Sequence, residues 1–166
     1  MYLAGRDLSL GGPCPRPSAA YLPGMKILLF ALLLFVGAAT YIRFSPSDSA
    51  RWHIDPVTAV APERGGYKSV EHLAAEPVEV LRAIDAIALA TPRTLRLAGS
   101  TETGMITYVT RSRLWGFPDY TTVRAVAAGD GTDLTILARL RFGIDDAGVN
   151  RARVESWTAA LGLRQG

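Results

Sequence analysis

Thr132–Phe142 reads TDLTILARLRF, and its alternation decides the fold. Leu134, Ile136, Ala138, Leu140 and Phe142 lie on one side of an extended chain, with Asp133, Thr135, Arg139 and Arg141 on the other. Successive side chains point to opposite faces of a strand, so this pattern predicts a strand with one apolar and one polar face. Gly129-Asp130-Gly131 just before it is a hairpin turn. Upstream, Tyr120–Ala127 sets Val123 and Ala125 against Thr122 and Arg124. Beyond the break at Gly116-Phe117-Pro118-Asp119, Met105–Leu114 is rich in Thr, Tyr, Val and Ile, which suit a pleated surface. Gly99–Gly104 is a turn, and in Arg93–Ala98 Leu95 and Leu97 alternate with Arg96. Consecutive hairpins predict a four-stranded antiparallel sheet.

Helices flank these strands. Pro77 opens a helix that runs to Ala90, with Val80, Leu81, Ile84, Ile87 and Ala88 on one face and Thr91-Pro92 at its end. A second helix is predicted over Ala147–Leu161, capped by Asp145 or Asp146 and closed by Gly162, with Asn150, Val154, Trp157 and Leu161 as its inner stripe. The expected fold class is α+β: a two-layer antiparallel four-stranded sheet with helices on one face, preceded by one N-terminal membrane helix. Residues 67–75 fit either a short strand or a loop.

If Leu95, Val123, Ile136 and Leu140 face the helices, then Arg96, Arg124, Arg139 and Arg141 share the opposite face. Guanidinium groups make bidentate contacts to phosphate and carboxylate, so that face is a candidate anion site. A solvated face with cross-strand pairs to Glu102, Asp119 and Asp133 is the alternative. A second candidate follows the last strand. Asp146 begins the helix, Asn150 lies on its inner stripe, and Arg153 has Asp146 and Asp119 within reach. These residues read as a polar clamp or as a pocket floor at a helix N-terminus.

Phe117-Pro118-Asp119, Arg124 and the block from Arg139 through Gly143, Asp146, Gly148, Asn150 and Arg153 resemble the bacterial domain-of-unknown-function 1499 family, over roughly residues 45–163. The resemblance implies a short envelope protein with one N-terminal apolar segment. Ala138 and Leu140 stand here where the family is often serine-rich. It implies a fold and a location more than an activity.

The location has its own signal. Ile27–Ile42, ILLFALLLFVGAATYI, carries no charge over 16 positions, between Lys26 and Arg43. Sixteen residues span about 24 Å as a helix against a bilayer core of roughly 30 Å, so the snorkelling Lys26 and Arg43 must complete the crossing. The segment 25–44 therefore reads as a single-pass anchor in a bacterial inner membrane, its domain in the periplasm or cell exterior. The alternative is a signal cleaved near Val36-Gly37-Ala38, with secretion. Met25-Lys26 has the form of a start, so residues 1–24 read as a disordered tail or a mis-assigned start. Residues 45–66, with three prolines, read as a linker, and 67–166 as the globular domain.

Composition excludes several functions. From Phe44 onward there are 14 basic and 14 acidic residues, so nothing favours nucleic acid. Arginine outnumbers lysine 16 to 2, which points to a GC-rich genome. The one cysteine, Cys14, lies in the tail, and neither His53, near Asp55, nor His72 belongs to a metal-ligand cluster, so no metal and no cofactor is expected. There is no nucleophile elbow, P-loop or dinucleotide motif. The reading that remains is a membrane-anchored, non-enzymatic module for an anionic small molecule, a lipid headgroup or an envelope protein. The alternatives are an enzyme using Asp119, Arg124, Asp146 and Asn150, or a structural scaffold of a membrane complex.

Overall fold

The computed structural model describes residues 23–165. The expected tail, with Cys14, lies outside the described residues except for Pro23 and Gly24, which open the first helix. The elements are α1 (Pro23–Phe44), α2 (Ser49–Trp52), β1 (Gly66–Leu73), α3 (Pro77–Ala90), β2 (Thr94–Ser100), β3 (Met105–Arg111), β4 (Pro118–Ala128), β5 (Gly131–Leu140) and α4 (Val149–Gln165). Gly37–Gly166 forms one compact unit, distinct from the stretch that ends at Val36. With 22 residues α1 is about 33 Å long, and Gly24–Phe44 is long and apolar enough to cross a membrane.

The sheet has five antiparallel strands, not four, in the order β1-β5-β4-β3-β2. The added strand pairs with β5 from Gly66↔Arg139 to Leu73↔Thr132. It escapes a pattern reading because an edge strand leaves most side chains half covered, so Lys68, Ser69, Glu71 and His72 intersperse its apolar residues. After β1 the chain crosses in α3 to the far edge, β2, and returns by three hairpins.

The expected helix faces bury as their periodicity requires. Val80, Leu81 and Ile84 of α3 and Val154, Trp157 and Leu161 of α4 pack on Ile106, Tyr108, Val123, Leu134 and Ile136. Each large apolar side chain so buried contributes about 1.5–3 kcal/mol. Two buried polar tips are paired: the Trp157 indole donates to Thr91 Oγ1 at 2.8 Å and the Tyr108 hydroxyl to Asp85 Oδ1 at 2.9 Å.

The opposite face is also covered. The stretch after α1, expected to be a linker, lies on the sheet as a third layer. Asp48 caps α2 by accepting from Ala50 N at 2.9 Å. Trp52 then packs with Val109, Tyr120 and Leu97 into a second apolar cluster. This corrects the placement of β2. Leu95 and Leu97 do share a side, but it is this second side. Arg96 therefore faces α3, where its guanidinium pairs with Asp85. Alternation shows that two faces differ; it cannot say which face meets the helices when both are buried.

Candidate functional site

The arginines of β4 and β5 share one face, as expected, but they already hold a ligand made of the chain itself. Arg124 pairs with Asp55. Arg139 donates to the Trp52 carbonyl, and its guanidinium lies 5.2 Å from the Trp52 ring centroid. Burial holds the Arg139 guanidinium below its ordinary pKa. Arg141 donates to the Pro46 carbonyl at 2.7 Å and to the Tyr120 hydroxyl at 3.0 Å. Arg111 joins them, donating to the Ser45 carbonyl at 3.2 Å. Ser45 and Trp52 are the buried residues of this segment, and Arg111 and Arg139 serve their backbone oxygens, where a lost partner costs about 1–3 kcal/mol. The expected open arginine face is thus closed, and Arg96 is not on it.

The second candidate does assemble. Asp146 closes the N-terminus of α4: Oδ1 accepts from Gly148 N at 3.1 Å and Oδ2 from Asn150 N at 2.7 Å. Those N–H groups are occupied, so the helix end offers no anion cradle. Asn150 Oδ1 accepts from Arg153 at 2.7 Å, and Arg153 reaches on to Asp119 Oδ2 at 3.2 Å. Asp119 and Arg153 side chains are 9% and 10% exposed. Asn150 Nδ2 and Asp119 Oδ1 are buried without a hydrogen-bond partner among the described residues. Burial raises the Asp119 carboxyl above its ordinary pKa, outweighing the pull of Arg153. Arg124, expected near this group, points to Asp55 across the sheet.

Asp119 and Arg153 form one side of a hollow of about 350 Å³, closed by Thr110, Val149, Arg93 and Arg113. A second hollow of about 350 Å³ lies on the other flank of Arg93, Arg111 and Arg113, against Arg43, Phe44 and Leu95. None of Arg43, Arg93, Arg111 and Arg113 makes an ion pair among the described residues. Strand pairing builds this ridge. The start of β2 lies beside the end of β3, with Thr94 opposite Thr110, so Arg93 meets Arg111 and donates to its carbonyl at 3.0 Å. Hairpin pairing of the two strand ends is the sequence signal that brings Arg93 to Arg111. Neither histidine enters the site: His53 bonds the Thr107 hydroxyl at 2.8 Å and His72 bonds Asp133 at 2.8 Å. Among the described residues no three His, Cys, Asp or Glu side chains gather to hold a metal.

No curated protein matches the chain. Solved structures similar to it include MLL2253 from Mesorhizobium loti, 10% identical, covering 59% of this chain and 94% of that one with a TM-score of 0.43. CV1439 from Chromobacterium violaceum is 21% identical, over 61% and 93%, with a TM-score of 0.40. The crystal structure of Ara h 8.0201 is 11% identical, over 59% and 95%, with a TM-score of 0.44. Scores this low carry nothing about function. The family model is decisive in another way, because it matches residues 43–161 and so takes in the covering segment, all five strands and the clamp: the chain belongs to the DUF1499 family, described as a protein of unknown function.

Proposed function

We propose that this is a membrane-anchored, non-enzymatic module that binds a small anionic ligand in the hollow between Arg93, Arg113, Arg153 and Asp119. The observation that carries the reading is the charge there: the cations Arg93, Arg111, Arg113 and Arg153 line the hollow and Asp119 is the one acid among its walls. A phosphate or carboxylate group would supply the missing negative charge through charge-assisted hydrogen bonds. The anchor is α1, retained in a bacterial inner membrane with the domain in the periplasm or exterior.

An enzymatic reading keeps one observation, the raised Asp119 carboxyl beside a guanidinium, which suits a proton acceptor for an anionic substrate. Its other expected member, Arg124, faces away from the hollow.

The test uses the full chain in detergent, titrated calorimetrically with inorganic phosphate and with glycerol 3-phosphate. Arg93→Gln/Arg113→Gln should weaken binding at least tenfold, and affinity should fall as salt rises, because exposed charges are screened beyond about 8 Å at physiological ionic strength. Unchanged binding in the double variant, or no binding by the wild type at low salt, would overturn the proposal.

A further inference from the structure

We infer that the other flank of the arginine ridge is a bilayer-docking surface, seated on the headgroup layer of an anionic membrane. The inference rests on the anchor reading of α1 and not on the small-ligand hollow.

Phe44 is the last residue of α1, and Ile27–Ile42 before it carries no charge, so a spanning α1 delivers Arg43 and Phe44 to the headgroup region. What touches Arg43 is held there too. The loop Ser112–Phe117 does so. Gly116 takes φ +71°, and a Cβ at that position would meet Arg43 Cγ at 3.2 Å. The loop is tied into a fixed shape: Ser112 N donates to Phe117 O at 2.9 Å, Gly116 N to Ser112 O at 3.2 Å, and Arg111 to Gly116 O at 3.0 Å. Its tip, Arg113-Leu114-Trp115, is exposed beside the end of the helix.

The chemistry of this flank fits an interface better than water. Phe44, Leu95 and Leu114 are 75%, 68% and 76% exposed, and Trp115 is 42% exposed. Large apolar and indole side chains interleave with Arg43, Arg93, Arg111 and Arg113, none of which is matched by an acid among the described residues. Tryptophan favours the membrane–water boundary, arginine buries its stem there while its head reaches phosphate, and a cation cluster gains from anionic lipid. The surface is contiguous with the covalent anchor, so docking needs no second partner and restricts how the domain stands on its helix.

The test reconstitutes the full chain in vesicles of phosphatidylcholine, with or without phosphatidylglycerol, carrying lipids brominated near the headgroup. Trp52 and Trp157 are interior, so Trp115 is the tryptophan within reach of the quencher. Tryptophan emission should be quenched, more so with phosphatidylglycerol, and the quenched part should vanish in Trp115→Phe and shrink in Leu114→Asp. Carbonate-resistant protein whose emission is untouched by bromine overturns the docking surface and leaves the anchor standing. Protein extracted by carbonate overturns both. Equal quenching in neutral vesicles overturns the anionic preference.

Discussion

Trp52 lies flat on Tyr120, with ring centroids 4.0 Å apart and planes within 11°. This contact turns the stretch behind the apolar helix into a layer of the domain. Truncating a buried tryptophan to alanine costs about 3–5 kcal/mol. Trp52→Ala should therefore lower the melting temperature sharply, while Leu114→Ala, at an exposed loop tip, should stay within about 0.5 kcal/mol. Thermal unfolding of the full chain followed by near-ultraviolet circular dichroism checks both. Equal effects would mean that the segment is not packed on the sheet.

Arg139 has the same lesson for charge. Its alternation marks a polar face, where single substitutions are mild. In the folded chain it is half-buried and donates to the Trp52 carbonyl. Arg139→Ala leaves that oxygen only the long contact from the Thr122 hydroxyl at 3.4 Å, so it should cost about 1–3 kcal/mol, comparable with Asn150→Ala. Arg113→Ala, at an exposed cation with no ion pair among the described residues, should be close to neutral. Denaturant midpoints of the three variants decide the matter.

Much of this was legible in sequence where one face of an element is buried and the other wet. The α3 stripe, the α4 stripe and the alternation of β5 all read correctly for that reason. Asp119, Arg153, Asn150 and Asp146 were also named in advance, because acid, amide and guanidinium near a strand end and a helix start have few partners but one another. The failures share a cause. When Ser45–Pro56 folds back over the sheet, β2 and β3 bury side chains on both faces, and parity no longer says which face meets the helices. Nothing local to SPSDSARWHIDP announces this, since its helix is a single turn and its anchor, Trp52, meets Tyr120 across 68 residues of chain. The Arg93 ridge was missed because it is a product of strand register and not of any one segment.

His72 at the β1 edge predicts a pH dependence. Its Nδ1 lies 2.8 Å from Asp133 Oδ1 and its Nε2 lies 3.4 Å from Asp130. The hydrogen bond to Asp133 raises its pKa above the ordinary 6.5. A raised folded-state value means that the protonated form is stabilised by folding. The contribution is fully present below pH 6.5 and is lost as pH rises through the raised value. His72→Gln should thus lower the melting temperature slightly at acid pH and leave it unchanged at alkaline pH, the effect being small because the pair is exposed to solvent. A difference that grows toward alkaline pH would contradict the pairing.

The junction between helix and domain can be tested through two glycines with the same backbone demand. Gly116 and Gly129 adopt φ of +71° and +58°, where an L side chain costs about 1–2 kcal/mol. A Cβ at Gly129 meets nothing within 4 Å, so Gly129→Ala reports that conformational cost alone. A Cβ at Gly116 would press on Arg43 Cγ at 3.2 Å, so the loop or the last turn of α1 must also give way. Gly116→Ala should therefore be the more destabilising of the two, and it should speed chymotryptic cleavage after Leu114 or Trp115 in the native full chain, which Gly129→Ala should not. Equal melting losses with equal cleavage rates would show that Arg43 yields freely and that the Ser112–Phe117 loop is not braced against the end of the apolar helix.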